Sequence, residues 1–557
     1  METEANRARG PRSLSTVNRS RFDLHLNGRW RDRVLRSAEF RALLVSAGGI
    51  GLSLLLLPPF WAVNDDVGMA MVAGGFGEAS APSPSIFLSN VLWGDLAVAL
   101  THIAGVRGYS VLNLGLLSFV AWGVLVRLIR AGVPTWGVIA TSVLIFIQPF
   151  VFPTFTVIAG LCAALGCLLL ADTRPPTTWY RWPSAAALLW VAFLVRSDIT
   201  ALVAIVSIPL WNWGAITKSR AAWASAGVAA IAAVGATGIN EAHYSGPEWS
   251  DMAEVEAVRV PFTDYKIGSQ FDASDLRGVG LTSNDLRLVE SWFQIDPEVA
   301  DPVALERLLA KADWREHAGR NVSRVVSSFG ILVQPGLLSL AVAAGLASAA
   351  SRRRWRLATS WVLFVSAATT LALLGRPFPF RLWLPLLSLM LLLALLSFQS
   401  DKERHRLVTM VLVSLAAIPV LGVVVGQHAA AESQARLVQS DLETLPRGEL
   451  LYVWGAAFPD VHAYRPTGHR TIAEEIPIAG LGSWSNAPFA KKQRHRFHTR
   501  PFSEEISNRP ISVVAFPQQM ALLPGYCREH LGAELNILRE QKLTTLTRYV
   551  VMCQGSS

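Results

Sequence analysis

Asp65 and Asp66 stand side by side in the run Trp61-Ala62-Val63-Asn64-Asp65-Asp66, directly after the first long apolar stretch, Ala42 to Ala62. Two adjacent carboxylates at a membrane surface repel each other and resist leaving water, so they point to a cation, a proton or a polar substrate rather than to packing. Further along, Arg196 and Asp198 interrupt the apolar segment Ser184 to Trp213, and Arg376 and Arg381 bracket a Pro-rich turn between two apolar segments. A guanidinium fork matches phosphate oxygens, and a carboxylate can take a proton from a hydroxyl. Together these groups suit a substrate that is part lipid and part sugar phosphate. His102, about two helical turns beyond Asp95 on an amphipathic segment, is a further candidate for binding substrate or moving a proton.

The elements that hold these residues are membrane spans. The chain is 52% hydrophobic and only 16% charged, and its apolar residues gather in runs long enough to cross a bilayer, which makes it polytopic. Its net charge of +9 would suit nucleic acid, but the basic residues fall in short clusters between apolar runs, where they set orientation. No nucleic-acid site is expected. The sequence has no P-loop, no dinucleotide fingerprint and no His/Cys spacing for zinc. About forty Arg-rich residues precede the first apolar run and no cleavage motif follows it, so Ala42 to Ala62 is expected to stay as an anchor.

Basic clusters fix the topology. Residues 1–41 form a cytoplasmic basic arm, and the loop 63–108 lies outside, with Asn90 to Gly105 as a helix along the membrane surface. Tyr109 to Leu128 returns to Arg127 and Arg130. Val133 to Ala171, interrupted by Gln148-Pro149 and Pro153, divides into two spans that return to Arg174, and Ser184 to Trp213 divides into two short spans that meet at Arg196-Ser197-Asp198. Ala221 to Asn240, the long outer loop 241–324, Ile331 to Ala350, Leu357 to Leu374, Leu382 to Phe398 and Leu407 to Gly426 complete about eleven spans. The transmembrane domain thus covers 42–426. The tail 427–557 reads as an extracytoplasmic α/β domain, with strands at Leu450 to Trp454, Ile511 to Phe516 and Leu543 to Met552 and a helix at Gln518 to His530. Cys527 and Cys553 lie where an oxidising exterior permits a disulfide. The basic run Lys491 to Arg500 is expected to be a solvated loop.

An acidic pair after the first span, a surface helix in the first outer loop, short spans, the string Arg376-Pro377-Phe378-Pro379-Phe380-Arg381-Leu382-Trp383-Leu384-Pro385 and an outer α/β tail resemble the GT-C superfamily of polyprenyl-phosphate-sugar-dependent membrane glycosyltransferases. The resemblance covers Ala42 to Gly426. It implies a multi-pass helical bundle in the inner (plasma) membrane, with the N-terminus cytoplasmic. It also implies a polyprenyl-phosphate sugar donor and an envelope glycan or lipid acceptor on the outer face. An aspartate of the first outer loop acts in that superfamily as base or beside a metal, which by position is Asp65 or Asp66, with a divalent cation, Mg or Mn, as the cofactor expected. Arg381, with Arg376 and Arg196, is then expected to face the lipid phosphate, and Asp198 and His102 to help bind substrate. The long outer loop, with Arg259, Asp264, Tyr265, Asp285 and Asp296, matches no motif. A lipid or solute transporter is the alternative, because intramembrane Arg and Asp also line substrate pathways, although no paired halves are visible. A scaffold for envelope assembly, its acidic pair holding a cation or capping the surface helix, is a third.

Overall fold

The computed structural model describes residues 37–172, 180–397 and 403–555, with the backbone alone at 403–406. The arm up to residue 36, Arg174 and Lys402 lie outside these residues. Helices form where the apolar runs predict them and stop where the runs are punctuated. Ser37 opens α1 (Ala38–Leu56), its hydroxyl accepting from the Phe40 N–H at 3.2 Å. After Pro58-Pro59 the chain is extended, and the Phe60 and Ala62 N–H groups donate to the Val151 and Pro153 carbonyls. A helix that the sequence did not announce, α2 (Asn64–Gly74), then carries the acidic pair in its first turn, where negative charge suits the helix dipole. The surface helix is α3 (Val91–Ala104), capped by the Asn90 side chain.

The following helices are α4 (Gly108–Arg130), α5 (Thr135–Val151), α6 (Phe155–Ala171), α7 (Arg181–Val195), α8 (Ser197–Ser207) and α9 (Arg220–Tyr244). After the long outer loop come α10 (Val322–Gly330), α11 (Pro335–Ala350), α12 (Arg354–Leu373), α13 (Phe380–Leu396) and α14 (Glu403–Glu443). Among the described residues, five helical stretches suit a membrane crossing by length and composition, six if α10 and α11, bent by 88°, make one span, and five further apolar helices are shorter. Their burial explains the two lengths. α6 is buried at every residue but Leu170, and at 1.5 Å per residue it is about 25 Å long against about 30 Å of hydrocarbon, a shortfall that a helix enclosed by protein tolerates. The longer α1 and α9 expose apolar side chains, Leu55 at 81% and Ile231 at 75%, as lipid-facing helices do.

α14 differs from its expected extent. The sequence places the change to a water-soluble composition at Gln427, but the helix runs on unbroken to Glu443. Beyond it a five-stranded sheet has the order β2-β1-β3-β5-β4, comprising β1 (Leu451–Val453), β2 (Ile478–Gly480), β3 (Ile511–Val514), β4 (Ala533–Lys542) and β5 (Thr547–Gly555). β1 pairs parallel with β2 and β3, while β5 is antiparallel to β3 and β4. Sequence patterning found β1, β3 and β5 and missed the other two. β2 is three residues long, and β4 is largely exposed and charged, so neither carries a buried apolar signature.

The long outer loop joins the sheet in one core. Phe293 packs against Trp454, Phe502 and Tyr526 with ring centroids 5.0 to 5.3 Å apart. The basic run at 491–500 is also not a loose loop. Helix Pro488–Arg496 covers most of it, and its buried Gln493 donates to the Gly77 carbonyl at 2.8 Å while Lys491 pairs with Asp251 at 2.7 Å. Both contacts clamp the tail onto the outer loops, a role that charge count alone does not reveal.

Cys527, on α15 (Leu523–Leu531), is bonded to Cys553 on β5, with Cα atoms 5.7 Å apart. Closing a loop of 26 residues contributes about 3 kcal/mol by restricting the unfolded chain. Reduction is therefore expected to lower the melting temperature of the outer region. Intact mass measured with and without reductant checks the bond, and two free thiols after oxidative purification would contradict it.

Candidate functional site

Neighbouring residues on a helix point about 100° apart, so Asp65 and Asp66 at the start of α2 face different surroundings. Asp66 turns inward and is fully buried. Its Oδ1 accepts from the Tyr109 hydroxyl at 3.1 Å and from the Phe155 N–H at 3.0 Å. Phe155 is the first residue of α6, whose own N-cap residue, Thr154, supplies no side-chain hydrogen bond, so the Asp66 carboxyl caps α6 from another element. Asp65 turns outward, its side chain one-third exposed, and pairs with Arg381 Nη1 at 3.0 Å.

Arg381 lies in the first turn of α13, where a cation opposes the helix dipole and no side chain caps the free N–H groups. Both features favour an anion at this spot. The neighbouring residue, Phe380, lines a cavity of about 190 Å³ between α5, α11, α13 and α14, walled by Leu144, Leu337, Leu384 and Val424 and edged by Gln148, Gln334 and Gln427. Its walls are apolar and its edge carries three amides. That volume is below the about 300–1,000 Å³ of a typical small-molecule pocket, so it suits one segment of an extended apolar chain.

Arg196 occupies the extended break between α7 and α8, with φ −162° and ψ 108°. Its guanidinium forks onto Asp198 at 2.8 and 3.1 Å and lies 4.9 Å from the Phe155 ring centroid, the residue whose N–H Asp66 holds. One guanidinium nitrogen, Nη1, is enclosed with no partner among the described residues. Asp198 also accepts from the Ile199 N–H at 2.7 Å, so it steadies both the break and the arginine. Asp66 and the Arg196–Asp198 pair thus meet at Phe155, and Asp65, beside Asp66 in the chain, pairs with Arg381.

The other expected residues sit elsewhere. Arg376 pairs with Asp264 at 3.2 Å and ties the long outer loop to the turn before α13. Gly375 makes that turn with φ +107°, and a Cβ there would lie 2.7 Å from the Tyr265 carbonyl. His317 bonds the Leu374 carbonyl in the same joint. His102 and Asp95 are both exposed on α3, with no polar partner among the described residues. Asp65 and Asp66 face different partners, and among the described residues no third carboxylate, histidine or cysteine gathers with them.

Two participants, and one buried acid outside the group, escaped the sequence. Tyr109 and Phe155 touch Asp66 through a hydroxyl and a backbone N–H, which no motif encodes. Glu78 carries no spacing signal, yet it lies against β2 at the seam between first loop and tail, where burial pushes its carboxyl up to about 7. His243, in the last turn of α9, meets the Ser85 hydroxyl at 2.9 Å.

No protein-family model matches the chain, and no curated protein matches it in sequence. Solved structures that are similar include two. One is ArnT from Cupriavidus metallidurans in the apo state, with a TM-score of 0.39 at 13% identity, covering 91% of this chain and 97% of that one. The other is ArnT from the same organism bound to undecaprenyl phosphate, with a TM-score of 0.35 at 13% identity, covering 94% and 98%. At these values neither structure assigns a role to any residue here.

Burial pushes the Asp66 carboxyl up to about 7, against the pull of the Phe155 N–H and with the charge of Asp65 adding to the rise. Because the folded protein keeps this proton to higher pH than the unfolded chain does, stability is expected to fall as pH rises from about 4 to about 7. Asp66→Asn keeps the acceptor and removes the titration. Thermal melts of purified protein across that range should show a pH slope that is steeper in the parent than in the variant, where Glu78, also pushed up to about 7, keeps part of it, and equal slopes would contradict the assignment.

Proposed function

We propose that the protein is a membrane glycosyltransferase that takes a sugar from a polyprenyl-phosphate donor and passes it to a glycan or lipid acceptor of the cell envelope on the outer face. The observation that carries this is the Asp65–Arg381 pair at the uncapped start of α13, one residue from the apolar cavity that Phe380 lines. Arg381 and the free N–H groups of α13 receive the phosphate, and the cavity receives part of the tail. Phosphate arriving at Arg381 competes with Asp65 and frees its carboxylate. Asp65 then takes the proton of an acceptor hydroxyl, whose oxygen bonds to the anomeric carbon as the bond from that carbon to the phosphate oxygen breaks. Polyprenyl phosphate leaves with the electron pair, its charge held by Arg381. The unpartnered Arg196 Nη1 is left to bond a sugar hydroxyl or a phosphate oxygen.

Closure of the first loop favours an enzyme over a transporter. α2 is held to the first turns of α6 and α13 through Asp66 and Asp65, which keeps the first loop over the ends of these helices as a transfer site needs. The test is a transfer assay on purified protein with polyprenyl-phosphate sugars and envelope acceptors. Transfer supports the proposal, and no transfer with any donor in a set of different sugars would overturn it.

The proposal requires the site to face outward. Cysteine placed at Ser269 in the long outer loop should react with a membrane-impermeant thiol reagent in intact cells, and cysteine at Lys218 should be shielded. Both positions are solvent-accessible, Ser269 exposed and Lys218 exposed, so shielding at Lys218 would report the membrane and not burial. The native Cys162 and Cys167 are buried and add little background.

A further inference from the structure

The chain enters the apolar helix α11 through a bend. α10 meets α11 at 88°, joined by the short turn Ile331–Val333. α10 also lies across the ends of two neighbouring helices. Asn321, just before it, donates to the Leu373 carbonyl at the end of α12 at 3.2 Å, and Arg324 donates to the Gly375 carbonyl. The Ser328 hydroxyl accepts from the Phe378 N–H at 2.9 Å, just ahead of α13, and Phe329 packs on Trp383 with ring centroids 5.5 Å apart. A helix fixed across the ends of membrane helices, and square to the one it leads into, runs along the membrane surface.

The free side of α10 is sorted by residue type. Val322 is 59% exposed, Val326 73% and Val333, on the joining turn, 71%. Residues four apart share a helix face, so the two helical valines form one line. Ser323 and Ser327 are exposed beside that line, while Ser328 turns inward to Phe378. What covers the valines is decided by continuity. From Val333 the exposed apolar residues carry on through Pro335 to Leu338, Val342 and Leu346 of α11, which is the side that a membrane helix turns to lipid. At the other end, Trp314, Arg315 and Arg320 are exposed on the helix Trp314–Arg320, and tryptophan and arginine are residues that settle among headgroups. At 1.5 Å per residue α10 is about 14 Å long, and one line of side chains of that length falls short of the about 800 Å² per partner of a stable protein interface.

We propose that α10 is a membrane-surface helix whose valine line dips into the lipid leaflet beside α11, on the side where Arg381 lies, with Ser323 and Ser327 left among the headgroups. Such a helix sinks its apolar face about 5–10 Å into the boundary between headgroups and acyl chains. The partner is the bilayer itself, and the contact does not depend on the proposed transfer reaction. Gln334, Pro335 and Gly336, at the bend, also line the apolar cavity, so seating α10 in the leaflet holds that rim of the cavity at headgroup depth.

The test uses full-length protein carrying one introduced cysteine, Val326→Cys, Leu346→Cys or Ser269→Cys, labelled with the fluorophore NBD. All three positions are exposed, so the changes spare the packing, and the native Cys162 and Cys167 are buried. Each sample is reconstituted into nanodiscs of phosphatidylcholine and phosphatidylglycerol with a nitroxide either near the headgroup or near the end of the acyl chain. The label at Val326 should lose fluorescence chiefly to the shallow nitroxide. The label at Leu346, about 16 Å along α11 from Pro335 and so near the middle of about 30 Å of hydrocarbon, should lose it chiefly to the deep one, and the label at Ser269 to neither. A Val326 label as unquenched as that at Ser269 would put the valines in water or against protein and overturn the proposal. So would a Val326 label quenched chiefly by the deep nitroxide, which would make α10 part of a span, or a Leu346 label that neither nitroxide reaches, which would remove the continuity with lipid.

Discussion

Asp65→Asn lowers turnover by about 10²- to 10⁴-fold, the usual contribution of a positioned base, while leaving the fold intact. The amide keeps the shape of the side chain and loses both the proton acceptor and the charge. Asp65 is the one member of the acidic pair whose side chain reaches solvent, and a base must touch the hydroxyl it deprotonates. Asp66→Asn is the internal comparison. Asp66 is buried and bonded to Tyr109 and Phe155, where it holds α2, so its variant should keep kcat within a few-fold and change the pH dependence of stability instead. Steady-state kinetics of both variants in the transfer assay decide the matter. Parental turnover in Asp65→Asn, with Asp66→Asn the impaired variant, would exchange the two roles.

Arg381→Ala acts chiefly on the donor. A hydrogen bond to a charged group is worth about 1.5–3 kcal/mol, so loss of the guanidinium raises KM for the polyprenyl-phosphate sugar by about 10- to 100-fold, with kcat falling less. The same substitution removes the partner of Asp65, which stays in water and needs none. Arg381→Lys keeps the charge and loses the fork, so its KM should fall between parent and alanine variant. A donor titration at fixed acceptor reads this directly. An unchanged KM in Arg381→Ala would place the phosphate elsewhere, with Arg196 as the next arginine to test.

The sequence by itself determined most of the helical layout, because a lipid-facing or protein-enclosed helix must be apolar along its length and its interruptions are visible as Pro, Gly and charge. The surface helix after Asn90, the break at Arg196-Ser197-Asp198 and the turn at Gly375 lie where the pattern breaks, whereas the bend before Pro335 falls inside the single span expected over Ile331 to Ala350. The conspicuous residues were legible for the same reason. Asp65, Arg196 and Arg381 stand out because charge beside hydrocarbon is costly.

What those residues do together, only the tertiary structure decided. Sequence cannot separate Asp65 from Asp66. The separation comes from a short helix that starts one residue before them and turns their side chains to different neighbours, and that helix is held by contacts to α6 and α13, 89 and 316 residues away. The division of the arginines is equally tertiary. Arg376 goes to Asp264 and Arg381 to Asp65, although the turn that holds Arg376 leads directly into the helix that carries Arg381. The exposed strand β4 and the docking of the long outer loop on the sheet were silent for a common reason: each depends on pairing between distant segments, and local hydropathy records the burial of a residue far better than it records the partner.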